Sequence, residues 1–381
     1  MNKFQKGIVS SRYFTTLPFN FLLNMVHQDD VDIDKVSWEV EKNDILERAN
    51  WLCEKVIVTP KQLLKNMPSS LGRFYGGQWA IYSCSMLAAA LCNISKIYPD
   101  VTDKCIEQVE KIIQIVLSPE IREYDTMAWK EDALCSLDGA KSHMTYLSIL
   151  AWIVSNYKLI GGSEKYDQIF HSCCETLNRR MLESKNLNLL SFPNKPIFIP
   201  DMLFTIVALK NYAKLYNGIY ADSVDKWLEK AKTEWLHKRT QLLVSMIKWN
   251  SRPIRGSYTA LSCYCLTLID PFFAKDQYEK MKRFLRKDSP LCGIKEYLYK
   301  SPNFKFDVNA GPIAFGLSPS GTAFAIGSAT FFQDWKFRNE LLRTAEIAGN
   351  TIKGNKQRHY QLGELVIVGE AVTLAMRTNI A

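Results

Sequence analysis

Four acidic residues, Asp132, Asp201, Glu364 and Glu370, are candidates for acid-base chemistry in this sequence. Glu370 is the most unusual of them, because it lies in the apolar segment VIVGEAVTLAM, where an unpaired carboxylate is costly. It is therefore neutral, paired with a group such as an arginine, or exposed to water in an internal cavity. A neutral carboxyl group with a raised pKa is suited to general-acid catalysis.

Three further residues could complete such a site. His143 and Tyr258 each begin an apolar segment of helical length, and Arg255 precedes Tyr258 closely. His143 or Tyr258 could act as a base, with Arg255 holding an acidic group of the substrate. Two structural alternatives remain open: His143 as a hydrogen-bonded core histidine, and Asp201, which follows Pro200, as a helix N-cap.

Aromatic and polar residues collect near these candidates, between the helical segments. Aromatic side chains in such positions either pack or form stacking walls for a ligand. The fifth connection also carries Asp307, Asn309 and Ser318, and we expect Ser318 to cap the following helix. The predicted substrate-binding residues are Tyr75, Trp79, Trp129, Trp249, Arg255, Tyr360 and Glu364.

The elements that must position these residues alternate along the chain. Six charged, amphipathic segments are each followed by a nearly uncharged one. The charged segments begin at Ile45, Lys104, Lys165, Val224, Asp276 and Trp335, and the uncharged ones at Trp79, His143, Asp201, Tyr258, Gly321 and Leu362. A helix with one apolar stripe faces water, whereas a helix that is apolar all round is buried. The alternation predicts an all-α fold, an (α/α)6 toroid of six helical hairpins around a central funnel.

The connections in this pattern are unequal in length. Those from an uncharged to a charged segment are short turns rich in Gly, Pro, Asn and Asp, whereas those in the other direction are long. Because the helices alternate in direction, all the long connections emerge on one face, and long loops in a compact domain commonly carry function. We therefore expect the site on that face. Short strands are expected near Leu242 and Phe304.

Length and charge bound the remaining possibilities. The chain has 381 residues and a net charge of +9. We divide it into a leader over residues 1–43, which packs on the ring, and a single toroid domain over residues 44–381. Lys and Arg alternate with Asp and Glu on the charged helices, and no nucleic-acid-binding motif is found, so we expect no nucleic-acid partner.

The ten cysteines fall mostly within helical segments and form no CxxC pair. This pattern favours a reducing compartment, and we expect a cytoplasmic protein without a membrane span, a metal or another cofactor. The expected partner is a small-molecule substrate. The oligomeric state is not determined by the sequence.

The middle of the chain resembles the linalool dehydratase/isomerase family. The resemblance is carried by WKEDALCSLDGAKSHMTYLSILAWIVSNY, RPIRGSYTALSCYCLTLIDPFFAKDQY and GLSPSGTAFAIGSATFFQDWKFRNELL, together with the aromatic link YAKLYNGIYADSVDKWL. It implies an α/α toroid, with the family's histidine at His143 and its tyrosine at Tyr258. The family's cysteine pair is missing, because Ser191 and Pro200 stand where cysteines are expected.

Three functions are compatible with these residues. The first is an enzyme that uses acid-base chemistry on a small hydroxylated substrate, carbohydrate-like in type, as a hydrolase, lyase or epimerase; glycoside hydrolysis would require two opposed carboxylates. The second is a dehydratase or isomerase acting on a small alcohol, as the resemblance implies. The third is a non-catalytic binding toroid. Acidic residues clustered on the long-loop face favour the first function.

Overall fold

Six apolar helices form the inner ring of the described part of the chain. The computed structural model describes residues 36–68, 70, 72–248, 251–299, 302 and 304–381. The inner helices are α3 (Gly72–Ile97), α6 (Met144–Leu159), α8 (Ile199–Leu215), α10 (Gly256–Ile269), α12 (Pro319–Phe331) and α14 (Ile367–Arg377). Each packs against the next inner helix in this order, and α14 packs against α3. The ring is therefore closed, as the alternating pattern predicts.

Six amphipathic helices surround this ring in the same region. They are α1 (Trp38–Val56), α4 (Thr102–Val116), α7 (Asp167–Glu183), α9 (Ala221–Glu234), α11 (Pro271–Leu285) and α13 (Trp335–Gly349). Helix α4, for example, buries Val109, Ile112 and Val116 on one face. In contrast, α6 is buried continuously from Met144 to Tyr157. The inner helices therefore supply the common core, and the outer helices carry most of the charge.

The connections have the predicted asymmetry, but they are more ordered than the sequence indicated. The short turns join α3 to α4, α6 to α7, α8 to α9, α10 to α11 and α12 to α13. The long connections hold two helices that the sequence did not predict, α2 (Pro60–Asn66) and α5 (Pro119–Trp129). Ser318 caps α12 as expected, because its Oγ accepts from the Gly321 N–H at 3.1 Å.

Short antiparallel strand pairs complete the long-loop face. Strand β1 (Ile197–Phe198) pairs with β2 (Met246–Ile247), and β3 (Arg286–Lys287) with β4 (Gly293–Ile294). Strand β5 (Phe304–Asp307) pairs with β6 (Gly311–Ala314), and β7 (Thr351–Gly354) with β8 (Gln357–Tyr360). The strands near Leu242 and Phe304 were predicted. The β1–β2 pair ties the connection before α8 to the connection before α10.

The ring is closed by an ionic seam between α1 and the last hairpin. Arg338 of α13 is fully buried and donates to both carboxylate oxygens of Glu41, at 3.0 and 2.9 Å. Arg377 of α14 donates to the same carboxylate at 2.6 Å. Arg48 of α1 reaches across to Glu370 of α14 at 2.9 Å. Arg377 and Arg338 lower the pKa of Glu41, because together they favour its ionised form more than burial disfavours it.

Aromatic contacts reinforce the seam. Trp38 meets Trp335 edge-on, with ring centroids 6.4 Å apart, and Trp51 stacks on His359 at 4.3 Å. Helix α1 begins at Trp38, within the segment assigned to a leader, so the ring begins earlier than residue 44. Residues 1–35 of that leader lie outside the described residues.

Helix α3 bears on the expectation that the chain has no membrane span. Its 26 residues are long and apolar enough to cross a bilayer by length and composition. However, 83% of the most apolar window is buried inside the protein, as expected for the core helix of a closed ring. The ten cysteines are all free thiols, and most of them are buried in this core.

Removing the shared carboxylate of the seam should destabilise the ring. Glu41→Gln leaves the buried Arg338 and the partly buried Arg377 without their common anion, so we expect the free energy of unfolding to fall by about 3 kcal/mol. Urea denaturation of this variant and of Glu39→Gln measures the loss. Glu39 lies in the same helical turn but is exposed. Equal stability of the two variants would contradict a dependence of the ring on this seam.

Candidate active site

The long-loop face brings side chains of three inner helices together around Asp201. Asp201 lies in the first turn of α8, Tyr82 within α3 and Tyr258 in the first turn of α10. All three are partly exposed, although most of their neighbours on these helices are buried. Because they lie on the inner ring, their exposed edges face the funnel. This group, together with Ser191, is the candidate site.

Asp201 is held by neutral hydrogen-bond donors. Ser191 Oγ donates to Asp201 Oδ2 at 2.5 Å, and the Tyr82 hydroxyl also bonds to the carboxylate. Burial raises the pKa of Asp201 to about 6, although these two hydrogen bonds oppose the shift. A carboxyl group with this pKa is partly protonated near neutral pH, as a general acid requires. The N-cap alternative is wrong, because α8 begins before Asp201 and has no side-chain cap.

Tyr258 stands between opposite charges. Its hydroxyl accepts from Asn309 Nδ2 at 2.9 Å, and the Arg255 guanidinium lies 5.2 Å from its ring centroid. Burial and the charge of Asp201 raise the pKa of Tyr258, although Arg255 opposes the shift. The phenolate is therefore unfavourable. Tyr258 fits hydrogen bonding to a substrate better than proton abstraction.

Arg255 is not free to hold an acidic substrate group. Its guanidinium pairs with Glu296 at 2.6 Å and with Asp307 at 2.9 Å. Glu296 is completely buried and also accepts from the Ser257 N–H and hydroxyl, each at 3.0 Å. The Arg255 charge is thus used to anchor the connection before α12 to the start of α10.

Asp307 has a pKa shifted in the opposite direction to that of Asp201. Its Oδ1 accepts from the backbone N–H groups of Asn309 and Ala310, at 2.9 and 3.0 Å. These bonds and Arg255 lower the pKa of Asp307 despite its partial burial. The charges of Asp201 and Asp307 both raise the pKa of Tyr258. Environments that push the pKa values of two carboxyl groups apart are typical of acid and base assignments.

His143 lies in a separate acidic cluster on the same face. Its Nδ1 is 2.5 Å from Asp125 Oδ2, and its Nε2 is 3.2 Å from Glu131 Oε1. The side chain is fully buried, and the Trp129 ring lies 5.5 Å away between centroids. Burial raises the pKa of Asp125 despite the bond to His143. His143 therefore contacts these acids rather than Asp201 or Tyr258, and its geometry favours the core-histidine alternative.

Two of the predicted catalytic carboxylates lie elsewhere. Asp132 pairs with Arg122 at 2.6 Å and accepts from the Leu134 N–H. These two contacts hold the loop after α5 in place. We expected Glu370 to face the funnel, but Arg48 binds it from the outer helix α1, so the arginine-paired alternative holds. Its second oxygen accepts from the Tyr360 N–H at 2.8 Å. Burial raises the pKa of Glu370, although Arg48 opposes the shift.

Two predicted substrate-binding residues also belong to the seam. Tyr360 is buried, with the Arg48 guanidinium 4.2 Å from its ring centroid. Glu364 accepts from His359 Nε2 at 3.0 Å, and the His359 ring stacks on Trp51. Both residues therefore support ring closure, because the connection before α14 folds outward onto α1.

The remaining aromatic candidates have different positions. Trp79 is partly buried on α3, one turn before Tyr82. Tyr75 is 39% exposed and meets Phe74 edge-on. Trp129 is nearly buried beside His143. Trp249 lies outside the described residues. Trp79 is therefore the predicted aromatic residue that lies one helical turn from a partner of Asp201, Tyr82.

Tyr82 and Glu296 were not among the predicted site residues, and Ser191 was noted only as the position of a missing cysteine. Tyr82 follows Trp79 by three positions, and this spacing places both residues on one helix face. This spacing was visible in the sequence, but both residues lie in an apolar segment that was interpreted only as a buried helix. Ser191 and Glu296 lie in long connections, and their sequence surroundings give no comparable signal.

One group of potential metal ligands occurs among the described residues. Asp288, Cys292 and Glu340 have ligand atoms within 4.8 Å of one another. Arg286 pairs with both carboxylates, at 2.6 and 2.9 Å, and burial raises the pKa of the Cys292 thiol. A cation would have to displace the guanidinium, so this group does not fit a resident metal well.

Comparison with known proteins supports the fold. No family model matches the sequence, and no curated protein matches it. Among solved structures, the chain is similar to an unsaturated glucuronyl hydrolase specific for heparin, with a TM-score of 0.54 and 10% sequence identity. The match covers 88% of this chain and 97% of the other. At 10% sequence identity, this likeness establishes the fold alone, which is an α/α toroid.

The resemblance to the linalool dehydratase/isomerase family is wrong. The toroid matched in structure is the glucuronyl hydrolase, and the sequence matches no family model. The stretches that suggested the resemblance are alternating apolar and charged helices. Any α/α toroid has this pattern, because its inner helices are buried and its outer helices face water.

The raised pKa of Asp201 predicts a pH-dependent stability. A carboxyl group that binds its proton more tightly in the folded state stabilises the fold fully below its unfolded pKa, and this contribution is lost as the pH rises through about 6. Asp201→Asn removes this titration. At pH 8 we therefore expect the free energy of unfolding of the variant to exceed that of the parent by up to about 3 kcal/mol. At pH 4 the difference should disappear. Urea denaturation at both pH values measures it, and a constant difference would contradict the raised pKa.

Replacing His143 should test its place in the acidic cluster. His143→Ala leaves the buried Asp125 without its close partner and creates a cavity, so we expect a loss of about 3 kcal/mol in the free energy of unfolding. His171→Ala is the control, since His171 is only partly buried on outer helix α7. Unchanged stability of His143→Ala together with loss of turnover would instead assign His143 to the chemistry.

Proposed function

We propose that this protein is a carbohydrate-acting hydrolase or lyase whose reaction takes place at Asp201. One observation carries the proposal: a carboxyl group on the inner ring, with a pKa of about 6, is held between Ser191 and Tyr82 at the mouth of the funnel. A non-catalytic toroid has no need for a desolvated carboxyl group at this position. The fold of the glucuronyl hydrolase supports the same class of reaction.

Asp201 acts as the general acid in this proposal. In its protonated form it donates a proton to the oxygen of the leaving group, which lowers the barrier to cleavage. The carboxylate that results is stabilised by the hydrogen bonds from Ser191 and Tyr82. Because both donors bind the same carboxyl group, they also restrict its direction. Tyr258 contributes its hydroxyl as a further hydrogen-bonding group.

Asp307 supplies the second carboxylate of the proposed site. Its lowered pKa keeps it ionised at neutral pH, whereas Asp201, with a pKa of about 6, stays protonated up to a higher pH. Cleavage of a glycosidic bond uses such a pair, one member as the acid and the other as a base or nucleophile. Arg255 and two backbone N–H groups hold Asp307 in place. The β5–β6 hairpin therefore carries a functional residue in addition to its aromatic side chains.

The substrate is proposed to be a sugar or short glycan. The site offers hydroxyl and carboxyl groups for hydrogen bonds, and Phe198 meets Tyr258 edge-on, with centroids 5.8 Å apart. The structural neighbour is named for an unsaturated glucuronyl substrate from heparin. Because Glu296 and Asp307 already offset the charge of Arg255, neutral sugars fit this chain as well as uronic acids. The assays should therefore include unsaturated heparin disaccharides and neutral aryl glycosides.

Asp201→Asn should remove this activity. Loss of a general acid typically lowers kcat by 10² to 10⁴-fold, and the folded variant should remain at least as stable as the parent at neutral pH. For the parent, kcat/KM should fall as the pH rises above about 6, because the acid then loses its proton. Turnover of the substrate identified in the panel, followed from pH 4 to pH 9, measures both effects.

Asp222→Asn is the matched control. Asp222 also lies in the first turn of its helix, but that helix is the outer helix α9 and the side chain is exposed. This variant should retain the activity and pH profile of the parent. If Asp201→Asn retained full turnover as well, the proposed chemistry would be excluded.

A further inference from the structure

We propose that the seam contains a binding site for a small oxyanion, such as a phosphate or carboxylate group of a metabolite. A cavity of about 380 Å³ lies between α1, α13 and the β7–β8 hairpin, away from Asp201. Its wall includes four cationic side chains and two carboxylates. The lining residues are Asp44, Arg48, Leu342, Arg343, Glu346, Thr351, Lys353, Tyr360 and Arg377.

The positive charges at this cavity are of two kinds. Arg48 is only 5% exposed, and its guanidinium donates to Glu370 at 2.9 Å and to Thr351 at 2.7 Å. Arg377 is bound to the carboxylates of Glu41 and Asp44. By contrast, Arg343 and Lys353 are exposed, and among the described residues neither has an ion-pair partner. These two cations are available to a ligand.

The two carboxylates of the wall are already engaged. Asp44 pairs with Arg48 at 3.1 Å and with Arg377, and these arginines lower its pKa to about 2. Glu346 accepts from the Thr351 N–H at 3.0 Å and from the Thr351 hydroxyl at 2.6 Å. Glu346 also lies 3.8 Å from the Arg48 guanidinium, so each carboxylate has an arginine partner in the wall. The cavity retains an excess of positive charge, which favours an anion.

The position of the cavity suggests what the ligand does. Arg343 extends from α13 and Lys353 from β7, whereas Arg48 belongs to α1. An oxyanion held by Arg343 and Lys353 would lie beside Arg48 and link the two ends of the ring. Arg343 also lines a neighbouring cavity of about 260 Å³, so Lys353 is the more specific probe of the two. Ligand binding should therefore stabilise the closed ring.

Thermal unfolding with inorganic phosphate tests this site. We expect phosphate to raise the Tm of the full chain by at least about 2 °C above the value in sodium chloride of equal ionic strength. The double variant Arg343→Gln, Lys353→Gln should lose this increase. Glucose 6-phosphate and glucuronate, used in separate titrations, distinguish a phosphate from a carboxylate ligand.

The control is the double variant Lys336→Gln, Lys356→Gln. It removes the same charge from α13 and from the β7–β8 turn, but neither residue lines the cavity. This control should keep the phosphate-dependent increase in Tm. An equal increase in both double variants, or no increase for the parent above that in chloride, would overturn the proposal.

Discussion

Closure of the ring through buried arginine–carboxylate pairs is the constraint on which the rest of the structure depends. A buried ion pair is often no better than an apolar contact for net stability, but breaking one leaves an uncompensated charge. The seam uses this asymmetry to specify one arrangement, because Arg338, Arg377 and Arg48 each require an acid from the opposite end of the chain. Aromatic packing alone would be less specific.

The funnel and the chemistry of Asp201 follow from that closure. Its carboxyl group is desolvated only because inner helices from several hairpins surround it. At the seam, Glu41 and Asp44 are also partly buried, but arginines lower their pKa values. At the funnel the partners of Asp201 are hydroxyl groups, so burial dominates and the pKa rises. The charged donors of Glu41 and Asp44 thus outweigh burial, whereas the neutral donors of Asp201 do not.

Much of the fold could be predicted from the sequence, because the six pairs of segments differ in how many faces are apolar. That difference determines which helices are buried. The starts of α8 and α10 were also informative, since Asp201 and Tyr258 stand at the funnel end of inner helices. The direction of a side chain around its helix was harder to predict. Glu370 lies on an inner helix as expected, but its partner Arg48 is on the outer helix α1.

The rest of the site depends on contacts between segments that are distant in sequence. Glu296 reaches Arg255 across 41 positions, and Arg48 reaches Glu370 across 322. No local pattern encodes such pairs. The mistaken family resemblance has a related cause. The alternation of apolar and charged helices shows which helices are buried, but unrelated toroids share it, so it does not identify a family. Helices α2 and α5 were missed because long connections between strongly periodic segments were interpreted as loops.

The seam also affects how the chain is made. Glu41 and Arg377 are separated by 336 positions, so the first outer helix emerges from the ribosome long before its partners exist. Until the last helix is synthesised, α1 carries carboxylates without their arginines and an apolar face without its full cover. The early hairpins can fold in order, since their contacts are local. The ring itself becomes complete only after α14 has been synthesised, and a nascent chain that stalls before Arg377 lacks the closed funnel.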